Sequence, residues 1–274
     1  MSDLKIIGIA SGKGGVGKTT ISTNLAVALA EAGHQVMLFD GDLGLANAQL
    51  ALGIRAEYNF SHVINGEKSL KEIIVRGPSG IYVVPGASGI GKMADLGESE
   101  LQGVVQSFTE FESPLDYLIV DAAAGISPSV ITFLKACHET LVVVRDEPSS
   151  IADAYGIIKV LSTEHDYESI GLIPNGVPDQ RSGKLLYQRL NAVSIKFLNL
   201  DLEYTYAIES DEKILEAARK YAPVITHSPG STAARDFRKL AKEIELLPIS
   251  KHASGGLQFF VERMLNSDPE VSNG

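Results

Sequence analysis

The chain has 274 residues, of which 45% are hydrophobic and 21% charged, so it can bury a full core as one large domain. Its formal net charge of -10 weighs against broad electrostatic binding to DNA or to anionic lipid. The single cysteine, Cys137, excludes an intramolecular disulfide, and no apolar run is long enough to span a membrane. With no secretory leader, these features predict a soluble, cytoplasmic protein in which Cys137 is a buried small side chain.

Apolar runs and helical patterns alternate along the chain. Strands are predicted at residues 5–10, 36–40, 81–85, 117–121, 140–144, 169–174 and 202–208. Helices are predicted at residues 19–32, 98–111, 127–136, 150–162, 184–198, 212–221 and 231–246. Strands that are apolar throughout are typical of a parallel sheet covered on both faces. The pattern predicts an α/β fold, a doubly wound, mostly parallel sheet whose ligands bind at the carboxyl ends of the strands.

The segment after the first predicted strand carries the strongest motif. Residues 11–20 read SGKGGVGKTT and fill the pattern GxxxxGK[ST] of a strand-to-helix phosphate loop. In such a loop, backbone N–H groups surround phosphate oxygens, and the following helix directs its positive dipole end at them. The sequence therefore predicts a site that binds and hydrolyses a nucleoside triphosphate at the following residues: Gly12, Lys13, Gly14, Gly15, Val16, Gly17, Lys18, Thr19 and Thr20.

Acidic residues follow two of the predicted strands. One strand ends in Asp40, with Asp42 two residues later, and another ends in Asp121. Because the carboxyl ends of parallel strands share one edge of the sheet, these acids should lie beside the phosphate loop. Mg²⁺ prefers oxygen ligands and keeps several waters, so Thr19 is expected to bind it while Asp40 and Asp121 hold its water shell. Asp42 is then expected to orient the attacking water. The alternative is that these acids are helix N-caps or turn residues.

A second lysine, Lys13, gives the loop the form KGGxGKT, which resembles the deviant Walker A motif of the MinD/ParA ATPases. The resemblance implies a P-loop fold of the MinD/ParA type in which two subunits close face to face around ATP. Lys18 would contact the β- and γ-phosphates, and Lys13 would reach the partner's phosphates, so that hydrolysis is weak alone and depends on a homodimer. The alternative for Lys13 is a solvated loop cation.

Three further segments resemble the flagellar-number branch of this family, the FlhG (FleN) proteins: residues 40–53, 146–159 and 255–265. This resemblance implies that Asn47 and Glu147 contact nucleotide across the dimer and that Asn175 reads adenine. Asn175 also precedes a glycine, as in a purely structural Asn-Gly turn. The resemblance further implies a role in limiting flagellar number or placement, with a flagellar transcription activator, an FlhF-like GTPase or switch-complex proteins as partners.

Two features depart from the family pattern. Many relatives have Ser or Thr after the acid of the second strand, where this chain has Ala122, so one hydroxyl near the metal site is missing. Gly125, three residues further, stays among the predicted nucleotide contacts. Flagellar members commonly carry an N-terminal extension whose short helix stimulates the FlhF GTPase, whereas the first predicted strand here begins at residue 5. Stimulation of that GTPase is therefore not assumed.

The carboxyl end carries an apolar stripe at helical spacing. After an ATPase domain of residues 1–250, residues 251–267 are predicted to form an amphipathic helix and residues 268–274 a disordered tail. The stripe predicts that the ATP-bound dimer associates with the inner membrane through Leu257, Phe260, Val261, Met264 and Leu265. The alternative is that this helix packs on the body of the protein.

Related ATPases with other functions remain as alternatives, including a MinD-like division-site regulator. A ParA-type partition or cargo-positioning ATPase binds DNA without sequence preference, and one predicted helix carries four basic residues: Arg235, Arg238, Lys239 and Lys242. Intervening acids and the net charge of -10 weigh against DNA as a partner. A metal-cluster carrier would need a CxxC pair, which this chain lacks.

Overall fold

The computed structural model describes residues 4–42, 47–86, 108, 111 and 114–248. In these residues one sheet contains nine strands: β1 (Lys5–Ala10), β2 (Val36–Gly41), β3 (Val75–Arg76), β4 (Tyr82–Val84), β5 (Tyr117–Ala122), β6 (Glu139–Val144), β7 (Ile170–Val177), β8 (Glu203–Tyr204) and β9 (Ile208–Glu209). Their order is β3-β4-β2-β5-β1-β6-β7-β8, and β9 pairs with the carboxyl end of β7. The β3–β4 pair is antiparallel and the others are parallel, which confirms the predicted mostly parallel sheet.

Helices cover both faces of this sheet. Their bounds are α1 (Lys18–Glu31), α2 (Ala48–Ala51), α3 (Phe60–Ile64), α4 (Leu70–Ile73), α5 (Pro128–Lys135), α6 (Pro148–His165), α7 (Gln180–Leu198), α8 (Glu212–Arg219), α9 (Val224–His227) and α10 (Thr232–Leu246). α1, α8, α9 and α10 share one core with Ile7 and Ile9 of β1. α5, α6 and α7 share the core of the other face, which contains Ala10. Successive side chains of a strand point to opposite faces, so β1 contributes to both cores.

Burial explains why the central strands are apolar on both sides. Every residue of β1, β2 and β5 is buried, including the acids Asp40 and Asp121 near the strand ends. Cys137 is also fully buried, as predicted. Among the described residues, no helix has both the length and the apolar character that crossing a membrane requires.

The structure corrects some predicted boundaries. β7 continues to Val177 instead of stopping at residue 174, so Asn175 lies within the strand and not in a turn after it. A β-bulge between Asn175 and Val177, with Gly176 at φ 70°, allows the pairing with β9. The single strand predicted at 202–208 is two short strands, β8 and β9.

Short elements were absent from the prediction because hydrophobic periodicity needs more residues than they contain. These elements are α2, α3, α4, α9 and β3, with two to five residues each. The helix predicted at 98–111 lies outside the described residues except for Phe108 and Phe111. The predicted helix at 251–267 and the predicted tail at 268–274 also lie outside the described residues.

Candidate nucleotide-binding site

The loop between β1 and α1 has the backbone that the phosphate-loop motif predicts. Gly17 precedes α1 in the left-handed region at φ 100°, where other residues are strained. Gly12 approaches the backbone carbonyl of Asp153 in α6 so closely that no Cβ would fit there. A Cβ at Gly14 or Gly15 would meet nothing within 4 Å. The loop is therefore held on its α6 side and open above its middle, where an anion can approach the backbone.

The first turn of α1 is suited to bind an anion. α1 begins after a glycine, so no side chain caps its first N–H groups, and its first turn contains no acidic residue. Lys18 is the first residue of this helix, and burial lowers the pKa of its ammonium group, while the nearby carboxylates of Asp121 and Asp42 oppose that shift. Lys18 thus lies in the same small region as two of the predicted acids.

Asp40 and Asp121 are direct neighbours across the β2–β5 pair. They are 1% and 2% exposed, respectively. Asp40 accepts hydrogen bonds from the backbone N–H of Ala48 at 3.0 Å and of Asp42 at 3.3 Å. Burial raises the pKa of both carboxyls; the charge of Asp121 adds to the shift at Asp40, whereas the Thr19 hydroxyl and Lys18 oppose it at Asp121. The pair is costly to ionise without a cation.

One atom of this pair fits a hydrated metal ion. The Oδ1 atom of Asp121 is buried without a hydrogen-bond partner in the part of the chain that is described. In that same part, no group of three or more His, Cys, Asp or Glu side chains could hold a metal by itself. The donor set fits Mg²⁺, which needs few protein ligands because it binds water and phosphate oxygens as well. Thr19, Asp40 and Asp121 are the residues that could hold it.

The remaining predicted catalytic residues border the loop. Asp42 follows the end of β2, and its carboxylate is close enough to raise the pKa of Lys18, Asp40 and Asp121. The Nζ of Lys13 donates a hydrogen bond to the Ser149 hydroxyl, 2.9 Å away, near the start of α6. The backbone N–H of Gly125 donates to the carbonyl of Ser11 at 2.9 Å. All three therefore lie at the sheet edge that was predicted.

The three residues assigned by resemblance have different surroundings. Asn175 contacts Gly17, and its Nδ2 donates to the carbonyl of Val16 at 2.7 Å. Glu147 precedes α6 and forms an ion pair with Arg145, with 3.2 Å between Oε1 and Nε. Asn47 is exposed and precedes α2. The structure brings Asn175 to the loop, and nucleotide contacts of all three stay predictions.

Sequence reasoning did not single out several neighbours of the site. Ser149 contacts Lys13, and Arg145 contacts Glu147. The only sequence signal for either neighbour was that Ser149 lies in the segment 146–159. A half-open, largely apolar cleft of about 170 Å³ also borders Thr20, between α1, α2 and α8, with Leu50 and Tyr221 at its rim. No sequence motif predicts this cleft, because its walls come from three separate parts of the chain.

Known proteins resemble this chain along most of its length. Residues 7–224 match the family described as CobQ/CobB/MinD/ParA nucleotide binding domain. The antiactivator FleN of Pseudomonas aeruginosa is 39% identical over 265 residues, which cover 97% of this chain and 95% of FleN. The flagellum site-determining protein YlxH of Helicobacter pylori is 34% identical over 272 residues, covering 95% of this chain and 90% of YlxH.

A solved structure agrees with these matches. The septum site-determining protein MinD of Pyrococcus horikoshii, complexed with Mg-ADP, has a TM-score of 0.74 and 28% identity, and the match covers 89% of this chain and 96% of MinD. With the phosphate loop, the paired acids and the parallel sheet, these similarities show that the chain belongs to the MinD/ParA family of nucleotide-binding proteins and is similar within it to the antiactivator FleN.

Proposed function

We propose that this chain is an ATP-driven dimerisation switch that hydrolyses ATP and helps to set flagellar number or placement. The observation that carries the ATPase assignment is the convergence of Lys18 and Thr19 with the buried pair Asp40 and Asp121. One oxygen of Asp121 has no hydrogen-bond partner among the residues that the structure describes, and it suits a hydrated cation. The flagellar assignment rests on two relatives, one named an antiactivator and the other a flagellum site-determining protein. Its partners would be a flagellar transcription activator, an FlhF-like GTPase or switch-complex proteins.

Nucleotide binding follows from the loop. The backbone of residues 12–20 and Gly125 would surround the phosphates, with Lys18 neutralising the β- and γ-phosphates. Asn175 would recognise the base. One N–H of the Asn175 amide donates to the Val16 carbonyl, which leaves the acceptor Oδ1 and the second N–H to meet a base. The acceptor Oδ1 would pair with the amino group of adenine.

The buried acids would hold magnesium with Thr19. When bound, the ion would neutralise charge on the phosphates that Lys18 also contacts. The Asp121 Oδ1 and the Asp40 carboxylate would accept hydrogen bonds from its water molecules, which relieves the repulsion between the two carboxylates. Thr19 would add its hydroxyl oxygen.

Hydrolysis would depend on a second subunit. Asp42 would orient the attacking water, and Lys13 of one subunit would stabilise charge on the phosphates bound by the other. The exposed position of Lys13 beside α6 supports this role, because its ammonium group lies at the surface of the monomer. Asn47 and Glu147, both exposed, would contact the partner's nucleotide from the same face.

The decisive experiment is the oligomeric state with Mg-ATP and with Mg-ADP, measured by light scattering. We expect a dimer with ATP and a monomer with ADP.

Asp42→Ala should bind ATP and accumulate as a dimer, since closure of the dimer survives while hydrolysis stops. Lys18→Ala should lose nucleotide binding in calorimetry, whereas the exposed Lys71→Ala should keep it. A monomeric Asp42→Ala chain in ATP would refute the switch, and full ATP affinity in Lys18→Ala would refute the loop assignment.

We also propose that ATP-bound dimers associate peripherally with the inner membrane. The predicted helix 251–267 lies outside the described residues, so this proposal rests on its apolar stripe and on doubling that stripe in a dimer. Deleting residues 255–274 should release ATP-loaded protein from sedimenting liposomes, and Phe260→Glu should act in the same direction. Unchanged sedimentation of both variants would refute the membrane proposal.

DNA binding is not proposed. Arg235 pairs with Asp236 at 3.0 Å and with Glu209 at 3.4 Å, and Arg238 pairs with Glu31 at 3.3 Å. Two of the four basic side chains on α10 are thus engaged with carboxylates. A gel shift at graded salt checks this, because phosphate binding weakens steeply as salt rises.

A further inference from the structure

Arg145 occupies a tightly constrained position between β6 and α6. Its backbone N–H donates to the hydroxyl of the buried Ser150 at 3.0 Å, and its carbonyl accepts from the N–H of Glu147 at 2.8 Å. The backbone therefore turns sharply and sets Arg145 and Glu147 at a fixed separation. Their side chains meet, with 3.2 Å between Arg145 Nε and Glu147 Oε1. A charge-assisted contact of this kind orients the carboxylate.

The guanidinium of Arg145 also lies against the end of β7. Its Nη2 is 3.4 Å from where a Cβ would stand at Gly176. The neighbouring Asn175 holds the phosphate loop through the Val16 carbonyl. Arg145 therefore rests on the bulge that adjoins the loop, while its Nε faces Glu147. The adjacent acid, Asp146, pairs instead with Arg189 of α7 at 2.6 Å.

We propose that Arg145 is a positioning residue for Glu147. It holds the exposed carboxylate beside the phosphate loop in the conformation that meets the nucleotide of a second subunit. The inference rests on the proposed function, in which Glu147 contacts nucleotide across the dimer. In this role Arg145 touches neither the nucleotide nor the attacking water and acts only through the carboxylate.

The exposure of this ion pair sets the size of its effect. The Arg145 and Glu147 side chains are 43% and 50% exposed, so solvent and salt screen their attraction. Pairs of this kind change equilibria by about 1.5-fold to fivefold. Losing Arg145 should therefore raise the ATP concentration at half-maximal dimerisation by that factor at low salt, and by less at 0.5 M salt. ATP affinity of the monomer should stay unchanged.

A double-mutant cycle tests whether Arg145 acts through Glu147. Arg145→Ala, Glu147→Ala and the double variant are made in the full chain carrying Asp42→Ala, so that ATP is not consumed, and dimerisation is followed by light scattering. We expect the double variant to equal Glu147→Ala, because Arg145 has nothing left to position. Arg145→Lys should lose less dimerisation than Arg145→Ala, because it keeps the positive charge beside Glu147. Arg189→Ala breaks the neighbouring pair of similar exposure and should leave dimerisation unchanged.

Each other outcome counts against the inference. A further loss when Arg145→Ala is added to Glu147→Ala means that Arg145 contacts nucleotide or partner directly. Equal dimerisation with and without Arg145 means that it positions nothing. Matching thermal unfolding of all variants excludes a folding defect as the cause of any loss. If the Asp42→Ala parent fails to dimerise with ATP, the proposed function itself fails, and this inference with it.

Discussion

At the residue scale, the conformation of the phosphate loop depends on a side chain far away in sequence. Asn175 lies 159 positions from Val16, whose carbonyl it binds, and it packs against the left-handed Gly17. The loop motif was readable from sequence because its spacing is local. The bond from Asn175 was not, because it requires β7 to lie next to the loop and to continue past residue 174.

We expect Asn175→Ala to weaken phosphate binding as well as base recognition. Losing one partly buried hydrogen bond of this kind costs about 0.5–1.5 kcal/mol, so affinity should fall about twofold to tenfold. Calorimetry with ADP and with tripolyphosphate, which has no base, separates the two roles. The exposed Asn65→Ala serves as the control. Unchanged affinity for tripolyphosphate would show that Asn175 does not support the loop.

At the element scale, α10 ends on a cap supplied by another part of the chain. The Nζ of Lys5 donates to the carbonyls of Ile244 at 2.8 Å and Leu247 at 2.6 Å. α10 has no basic residue in its own last turn, so this buried ammonium group provides the positive charge that a helix C-terminus favours. His34 adds a contact to Glu245 at 2.8 Å. The helix was predicted from its periodicity, whereas its cap depends on β1 lying beside it.

We expect Lys5→Met to destabilise the fold by about 1–3 kcal/mol. The substitution keeps an apolar stem but leaves two carbonyls without their charged donor. Urea unfolding at neutral pH measures the change, with the exposed Lys71→Met as the matched control. A loss no larger than that of the control would mean that solvent satisfies these carbonyls equally well.

At the scale of the whole molecule, excess negative charge makes stability sensitive to pH. The net charge is -10, and burial raises the pKa of several carboxyls. At Glu139, the first residue of β6, burial and then repulsion from Glu203 raise the pKa to about 7, while Lys5 opposes the shift. Between about pH 4.3, the ordinary pKa of a Glu side chain, and about pH 7, the folded chain keeps a proton that the unfolded chain has lost. Stability therefore falls as pH rises through this range.

We expect Glu139→Gln to stabilise the protein at pH 8 but not at pH 4.5. The unfolded carboxyl titrates near its ordinary value of about 4.3 and the folded one near 7, so the gain should grow between these values and then level off. Its size should be on the order of 3–4 kcal/mol, because each pKa unit between the two values corresponds to about 1.4 kcal/mol. Unfolding free energies of both chains at the two pH values test this. A difference independent of pH would show that Glu139 titrates normally in the folded chain.

The sequence by itself determined the elements and their chemistry. Periodicity predicted the long helices and central strands, and local spacing predicted the phosphate loop and the acids at Asp40 and Asp121. These patterns are local, so they survive without knowledge of packing. Short elements such as α2 and β3 were not predicted because they contain too few residues to show a hydrophobic period.

Only the tertiary structure decided how these parts meet. It paired Asp40 with Asp121 in a buried position where one oxygen has no partner within residues 4–42, 47–86, 108, 111 and 114–248, and it set Lys13 against Ser149. It also joined Asn175 to the loop and Lys5 to the end of α10. The physical reason is that each contact joins residues distant in sequence, whose separation is fixed by packing of the sheet and its helices and by no pattern within either segment.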